Sequence, residues 1–204
     1  MTRWTAIIPF NFGRPRKTRL SAILSAEERD ALALAMAEHV VRTLGAAPSI
    51  RAIRLLSPVN PMLPGTIWVE DRGLGLNGEL AAARDNLAGD PALLIHADLP
   101  LLTGEDVEAL LSAASAHGTA IAPDLAGMGT NALALADGRP VTLAFGEDSF
   151  ARHRATLPGA PLVERPGLAL DVDDAASLRA AMASGFALPF PAEHLATGGI
   201  ATSI

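Results

Sequence analysis

The sequence predicts an α/β fold: a mostly parallel, Rossmann-like sheet with helices on both faces. Three observations predict it. Short apolar runs of strand length alternate with stretches of helical periodicity as far as residue 124, which is the signature of repeated strand–helix–strand units. The run Leu93-Leu94-Ile95-His96-Ala97-Asp98-Leu99-Pro100-Leu101-Leu102 reads as a central parallel strand. Pro100 cannot donate to a sheet ladder, so the strand should stop near Asp98. With 204 residues, half of them hydrophobic, the chain has the size and apolar content of one domain over 1–204.

The elements follow in order. Trp4–Phe10 reads as the first strand, and Asn11–Lys17, with Gly13 and Pro15, as a loop. Ser25 and Glu28 have the spacing of a capping box, and Leu32, Met36, Val40 and Leu44 then mark one helix face, with Gly45 as the stop. Ile50–Ser57 and Thr66–Val69 are the next strands, separated by Pro58, Pro61 and Pro64. Gly73 and Gly75 open a helix to about Leu87, with Asn77 as its N-cap. After the central strand come a helix over Thr103–Ala116, closed by Gly118, and a strand over Thr119–Pro123. Beyond Asp124 the rhythm changes. Asn131–Ala136 and Pro140–Phe145 flank Asp137-Gly138-Arg139 like a small β-hairpin insertion. Ser149–Ala155 is a short helix, Leu162–Arg165 and Leu168–Val172 are strand candidates, and Asp174–Ser184 is a helix. The tail from about 186 is expected to be loosely ordered.

Composition excludes several classes. A net charge of −6 argues against a general nucleic-acid binder, which carries a basic face. No apolar run approaches the roughly 18 residues of a membrane span, and the apolar start is too short for a signal peptide. Cysteine is absent, which removes disulfides, thiolate chemistry and cysteine-ligated zinc. The expectation is therefore a cytoplasmic protein with no membrane and no nucleic-acid partner. The oligomeric state stays open, a homodimer being one option.

The chemistry gathers in a few places. Asp98 stands at the carboxyl end of the central strand, where open α/β sheets bind ligands, although it could equally open the turn before the next helix. In Leu170-Asp171-Val172-Asp173-Asp174, strand alternation puts Asp171 and Asp173 on one face. With Asp98 they would form a hard oxygen site for Mg²⁺. One of Asp173 and Asp174 is needed as an N-cap, but a cap does not explain all of the acids. Arg14, Arg16, Lys17 and Arg19 lie within six residues of an acidic chain, which suggests a focused anion site or else a solvated basic loop. Gly127-Met128-Gly129-Thr130-Asn131 and Phe145-Gly146-Glu147-Asp148-Ser149 could each present backbone N–H groups to a phosphate; each is also what a plain turn looks like. His39, His117 and His194 have no evident partners. His96 lies two residues before Asp98, and His153 lies one helical turn after Ser149.

The order IPF, RKTRLS, LSAEER, GLN, ADLPLL, GTNALAL, FGEDSFARH, LALDVDD resembles the guanylyltransferases of deazaflavin-coenzyme (F420) biosynthesis, a family acting on 2-phospho-L-lactate, phosphoenolpyruvate or 3-phosphoglycerate within the MobA-like nucleotidyltransferase superfamily. The resemblance covers residues 5–180. GTNAL followed by FGxxSFxxH is its most specific part, whereas ADLP and DVD also occur across the wider superfamily. It implies a sheet of the nucleotide-diphospho-sugar transferase type and transfer of GMP from GTP to a small phosphorylated carboxylic acid, with release of pyrophosphate. It implies that Asp98 and Asp171, with Asp173, hold Mg²⁺, and that Asp98, Asp171 and Lys17 are catalytic. Arg14, Arg16, Lys17 and Arg19 would meet the triphosphate, and Gly75 and Asn77 the nucleotide. Thr130, Asn131, Gly146 and Ser149 would bind the acceptor. The chain departs from the family in having Asn11-Phe12 where a lysine usually follows the first strand, with Arg14 a nearby substitute, and His39 where an aspartate is common. The alternatives are a MobA-like molybdopterin nucleotidyltransferase and a non-catalytic nucleotide-binding regulatory protein.

Overall fold

In a computed structural model, which describes residues 2–13 and 17–191, six strands form one sheet. They are β1 (Trp4–Pro9), β2 (Ile50–Ser57), β3 (Ile67–Glu70), β4 (Ala92–Ile95), β5 (Thr119–Pro123) and β6 (Thr130–Leu135). The sheet order is β3-β2-β1-β4-β6-β5. The pairs β1–β2, β1–β4 and β2–β3 are parallel, and β6 runs antiparallel to both neighbours. The helices are α1 (Ala26–Ala46), α2 (Gly75–Asp85), α3 (Gly104–His117), α4 (Ser149–Thr156), the single turn α5 (Pro166–Ala169) and α6 (Ala175–Ala183).

Alternation along β4 feeds two cores. Leu93 and Ile95 pack with Ala33, Val40 and Leu44 of α1 and Leu110 of α3. Ala92 and Leu94 pack with Leu80 and Ala83 of α2 on the other face. A strand buried on both faces must be apolar throughout, which is why this stretch is a continuous run. A third cluster joins Leu20, Leu32 and Met36 to Leu170, Val172 and Leu178. Phe186, Leu188 and Phe190 pack against it, so the first part of the expected loose tail is docked. The remainder of that tail, with His194, lies outside the described residues, as do Arg14 and Arg16.

The Ser25–Glu28 capping box forms and starts α1. The helix passes Gly45 and ends at Ala47, which is extended (ψ 122°) because Pro48 excludes the helical conformation from the residue before it. Gly118 closes α3 at φ 85°, a left-handed conformation that favours glycine.

Three expectations are corrected. The hairpin does not form: 140–145 is not a strand, because β4 and β5 already occupy both edges of β6. Nor is 168–172 a strand. Pro166 starts a helical turn there, and of the 162–165 candidate only Leu162 bridges the sheet, at Ile121. Finally, Asn77 lies inside α2, whose N-cap position is Leu74.

Candidate active site

From β1 the chain winds to β2 and β3 on one side, then crosses to β4 on the other. At such a switch point the connections leave in opposite directions and open a crevice beyond the strand ends. A cleft of about 470 Å³ lies there. Asn11 after β1 and His96 and Asp98 after β4 line one end; Leu56 of β2 and Gly75, Leu76 and Glu79 of α2 line the other.

The β4 end is acidic. Asp98, Asp171 and Asp173 each offer an oxygen, and these oxygens lie within 4.8 Å of one another. The 170–173 segment holds its aspartates by a simple device. Val172 is fully buried in the third cluster, and its N–H donates to the Asp98 carbonyl at 3.1 Å. The flanking Asp171 and Asp173 therefore both reach Asp98 although the segment is outside the sheet. Asp174 takes the N-cap of α6, accepting from Ala176 and Ser177, which leaves Asp173 free of that duty. The Asn131 amide donates to the carbonyls of Leu168 and Ala169 at 3.0 Å and to Asp171 at 3.3 Å. Asn131 thus orients an acid and does not line the cleft.

Lys17 sends its ammonium into this cluster, pairing with Asp98 and with Asp173 at 2.9 Å. Burial disfavours the charged form of Asp98, but the Lys17 ammonium, and less strongly His96, outweigh it and hold the carboxyl below its ordinary value. The two carboxylates likewise overcome burial and raise Lys17. Asp171 moves the other way, pushed up by burial and then by the charges of Asp98 and Asp173. Oδ1 of Asp98 is sealed from solvent with no partner among the described residues, an arrangement that costs roughly 1–3 kcal/mol. Among the described residues, three carboxylates, one with an unpaired oxygen, face a single ammonium, which leaves the site short of positive charge. Its all-oxygen donors fit Mg²⁺.

Thr130, Ser149 and His153 form a second polar group, entirely buried. The Thr130 N–H donates to Ser149 Oγ at 2.9 Å. His153 Nε2 accepts from the Ala144 N–H at 3.0 Å, so Nδ1 carries the proton and donates to Thr130 Oγ1 at 2.9 Å. Burial, then the charge of Arg152, lowers His153 to about 4, which keeps it neutral. Phe145 packs between His153 and His96, connecting this group to the cleft. The Asn77 amide both donates to and accepts from the Phe145 backbone, at 3.0 and 2.8 Å, so it ties α2 to the 145–149 turn and leaves the cleft to Gly75 and Leu76. The glycine turn before Thr130 does form a nest, but its occupant is internal. The N–H groups of Met128 and Gly129 both hold the Asp124 carboxylate, at 2.9 and 2.8 Å. A Cβ on Gly129 would stand 2.7 Å from that carboxylate, so a larger residue there would have to displace Asp124 from the nest. Gly146 is exposed before α4, whose N-cap Asp148 makes no side-chain cap.

Arg19 is exposed on the 3₁₀ turn Thr18–Leu20 and does not line the cleft. His39 has a partner after all: Nε2 donates to the Leu102 carbonyl at 2.9 Å, pinning α1 to the turn after Asp98. Glu79 was not legible as a cleft residue. The signal for it was an acid beside Leu80 on the buried stripe of α2, where an unpaired carboxylate is rare.

A switch-point cleft with clustered carboxylates and a lysine at its strand-end floor defines a nucleotidyltransferase-like protein. A Desulfovibrio desulfuricans protein assigned as a nucleotide-diphospho-sugar transferase shares the fold, with a TM-score of 0.65 at 17% identity over 87% of this chain and 85% of its own. A phosphoenolpyruvate guanylyltransferase from Sphaerobacter thermophilus is 38% identical over 185 residues, 85% of this chain and 89% of its own. Another from Chloroflexus aggregans is 36% identical over 186 residues, 80% and 89% of the two chains. Residues 4–160 match the family described as "Guanylyl transferase CofC like". The chain belongs to that family and is a guanylyltransferase-type enzyme. Among the described residues, no helix is long and apolar enough to cross a membrane.

Proposed function

We propose that this enzyme transfers GMP from GTP to a small three-carbon phospho-acid in coenzyme F420 biosynthesis, with phosphoenolpyruvate the first acceptor to test, since relatives at 36–38% identity carry that name. A phosphate oxygen of the acceptor attacks the α-phosphorus in line, the bond to the bridging β-oxygen breaks, and pyrophosphate leaves. The acceptor already carries an anionic oxygen, so the chemistry asks for positioning and charge neutralisation and not for a protein nucleophile. The observation that carries the reading is the cluster of Asp98, Asp171 and Asp173 beside Lys17 at the end of β4.

Asp98, Asp171 and Asp173 would hold Mg²⁺, which supplies neutralisation and orientation of phosphate oxygens when bound. The Lys17 ammonium meets charge developing on the pyrophosphate. Arg14, Arg16 and Arg19, close to Lys17 in the sequence, add positive charge that steers the triphosphate in. Gly75, the first residue of α2, gives the nucleotide a backbone surface with no side chain. The acceptor sits against the exposed Gly146 turn that leads into α4. Thr130 and Ser149 shape that end from beneath, with His153 fixing them, and Asn131 acts by orienting Asp171. Purified protein incubated with GTP, Mg²⁺ and each of phosphoenolpyruvate, 2-phospho-L-lactate and 3-phosphoglycerate tests the proposal. One acid should give pyrophosphate and a GMP adduct of the expected mass. Loss of the activity on chelation would support the metal assignment. No adduct with any of the three would refute the reading.

A further inference from the structure

The end of the cleft opposite the acidic triad contains a buried carboxylate that the chemistry above does not use. Glu79 is only 4% exposed and lies on the packed stripe of α2 with Leu80 and Ala83, yet it lines the cleft. One oxygen is fully engaged: Oε1 accepts from the backbone N–H of Arg72 at 2.7 Å and of Leu74 at 2.9 Å. These bonds fix the carboxylate and the 71–74 loop together. Oε2 has no donor among the described residues, and it is not among the sealed atoms, so it opens to the cleft. A buried carboxylate oxygen left over in this way calls for a donor from the ligand.

Position says which part of the ligand. Leu56 of β2 lies two strands from β4 in the sheet, so the Leu56–Glu79 end stands about 10 Å from the acidic end. A nucleotide with its phosphates at Asp98 and Lys17 brings its base to that end, against Leu56 and Leu76. Guanine presents two donors on one edge, N1–H and the 2-amino group. Adenine turns a bare N1 lone pair to the same place and is repelled by a carboxylate.

Resting on the reading of GTP as donor, we infer that Glu79 reads the guanine base, its Oε2 accepting from the 2-amino group and N1–H. The test is calorimetric titration of the protein and its Glu79→Gln variant with GTP, ITP, XTP and ATP. The glutamine retains a carbonyl oxygen for the Arg72 and Leu74 N–H groups but puts an amide donor where Oε2 stood. Wild type should bind GTP roughly 10- to 100-fold more tightly than ITP, which lacks the 2-amino group, as expected for one charge-assisted hydrogen bond. Glu79→Gln should lose a similar factor for GTP and gain affinity for XTP, whose C2 carbonyl accepts from the amide. A gain of this kind cannot come from a damaged fold. An unchanged GTP-to-XTP ratio in the variant would overturn the inference. So would equal wild-type affinity for GTP and ITP, a comparison that needs no variant. Wild type preferring another nucleotide over GTP would instead remove the donor assignment itself, and the inference with it.

Discussion

Two polar groups of this protein, one lining the cleft and one buried beneath α4, behave in opposite ways. At the end of β4, three carboxylates and one ammonium leave Asp98 Oδ1 without a partner among the described residues and Asp171 raised above its ordinary value. Beneath α4, Thr130, Ser149 and His153 donate and accept among themselves and the backbone, and His153 stays neutral. The first group is electrostatically unfinished, which suits the cation and phosphates proposed for it. The second is satisfied and serves as scaffold. Ligand sites are therefore to be sought where polar groups remain unpaired, not wherever polar residues cluster.

If that contrast is right, substitutions at the unfinished group should cost activity far more than stability. Asp98→Asn or Asp171→Asn should reduce turnover by about a thousandfold or more, the scale of several kcal/mol of charge stabilisation. The fold should persist, checked by circular dichroism and melting temperature; near-wild-type turnover in either variant would break the comparison. Lys17→Ala should weaken GTP binding roughly 10- to 100-fold by calorimetry with less effect on the acceptor's KM. The reverse pattern would move Lys17 to the acceptor side.

The satisfied group should show itself in stability. His153 titrates at about 4 in the fold, against an ordinary 6.5. The folded state therefore binds fewer protons than the unfolded one between those values, and stability is lost as the pH falls through that window, on the order of 3 kcal/mol. Urea titrations across the window should show a shallower slope in His153→Gln; an unchanged slope would show that the histidine is not held neutral. Ser149→Ala removes the acceptor of the Thr130 N–H and should cost about 1 kcal/mol of stability. It should also raise the acceptor's KM and leave GTP affinity unchanged.

Much of this was readable from the chain. The doubly buried strand, the Ser25–Glu28 box and the shared face of Asp171 and Asp173 all follow from local pattern, because period, capping and alternation are local rules. Asp171 and Asp173 were read onto a strand that does not exist. The alternation survived because the segment is extended and pinned by Val172, so the face was right for a different reason. What local pattern could not reveal were partners distant in sequence. The Asn77 spacing suited an N-cap, but its amide went to Phe145 across 68 residues. The glycine nest suited a phosphate, but Asp124 fills it. Glu79 is a cleft residue only because the fold brings α2 against β2, which its own sequence neighbours do not reveal.

The central claim is guanylyl transfer through the acidic end of the cleft, and its most direct measurement follows the transferred group. GTP labelled at the α-phosphorus is incubated with phosphoenolpyruvate, Mg²⁺ and either wild-type protein or Asp98→Asn, and the products are separated. The account predicts label in a GMP–phospho-acid adduct with wild type and essentially none with the variant. Label that stays in GTP or appears only as free GMP with wild type, or an adduct formed equally well by Asp98→Asn, would contradict it.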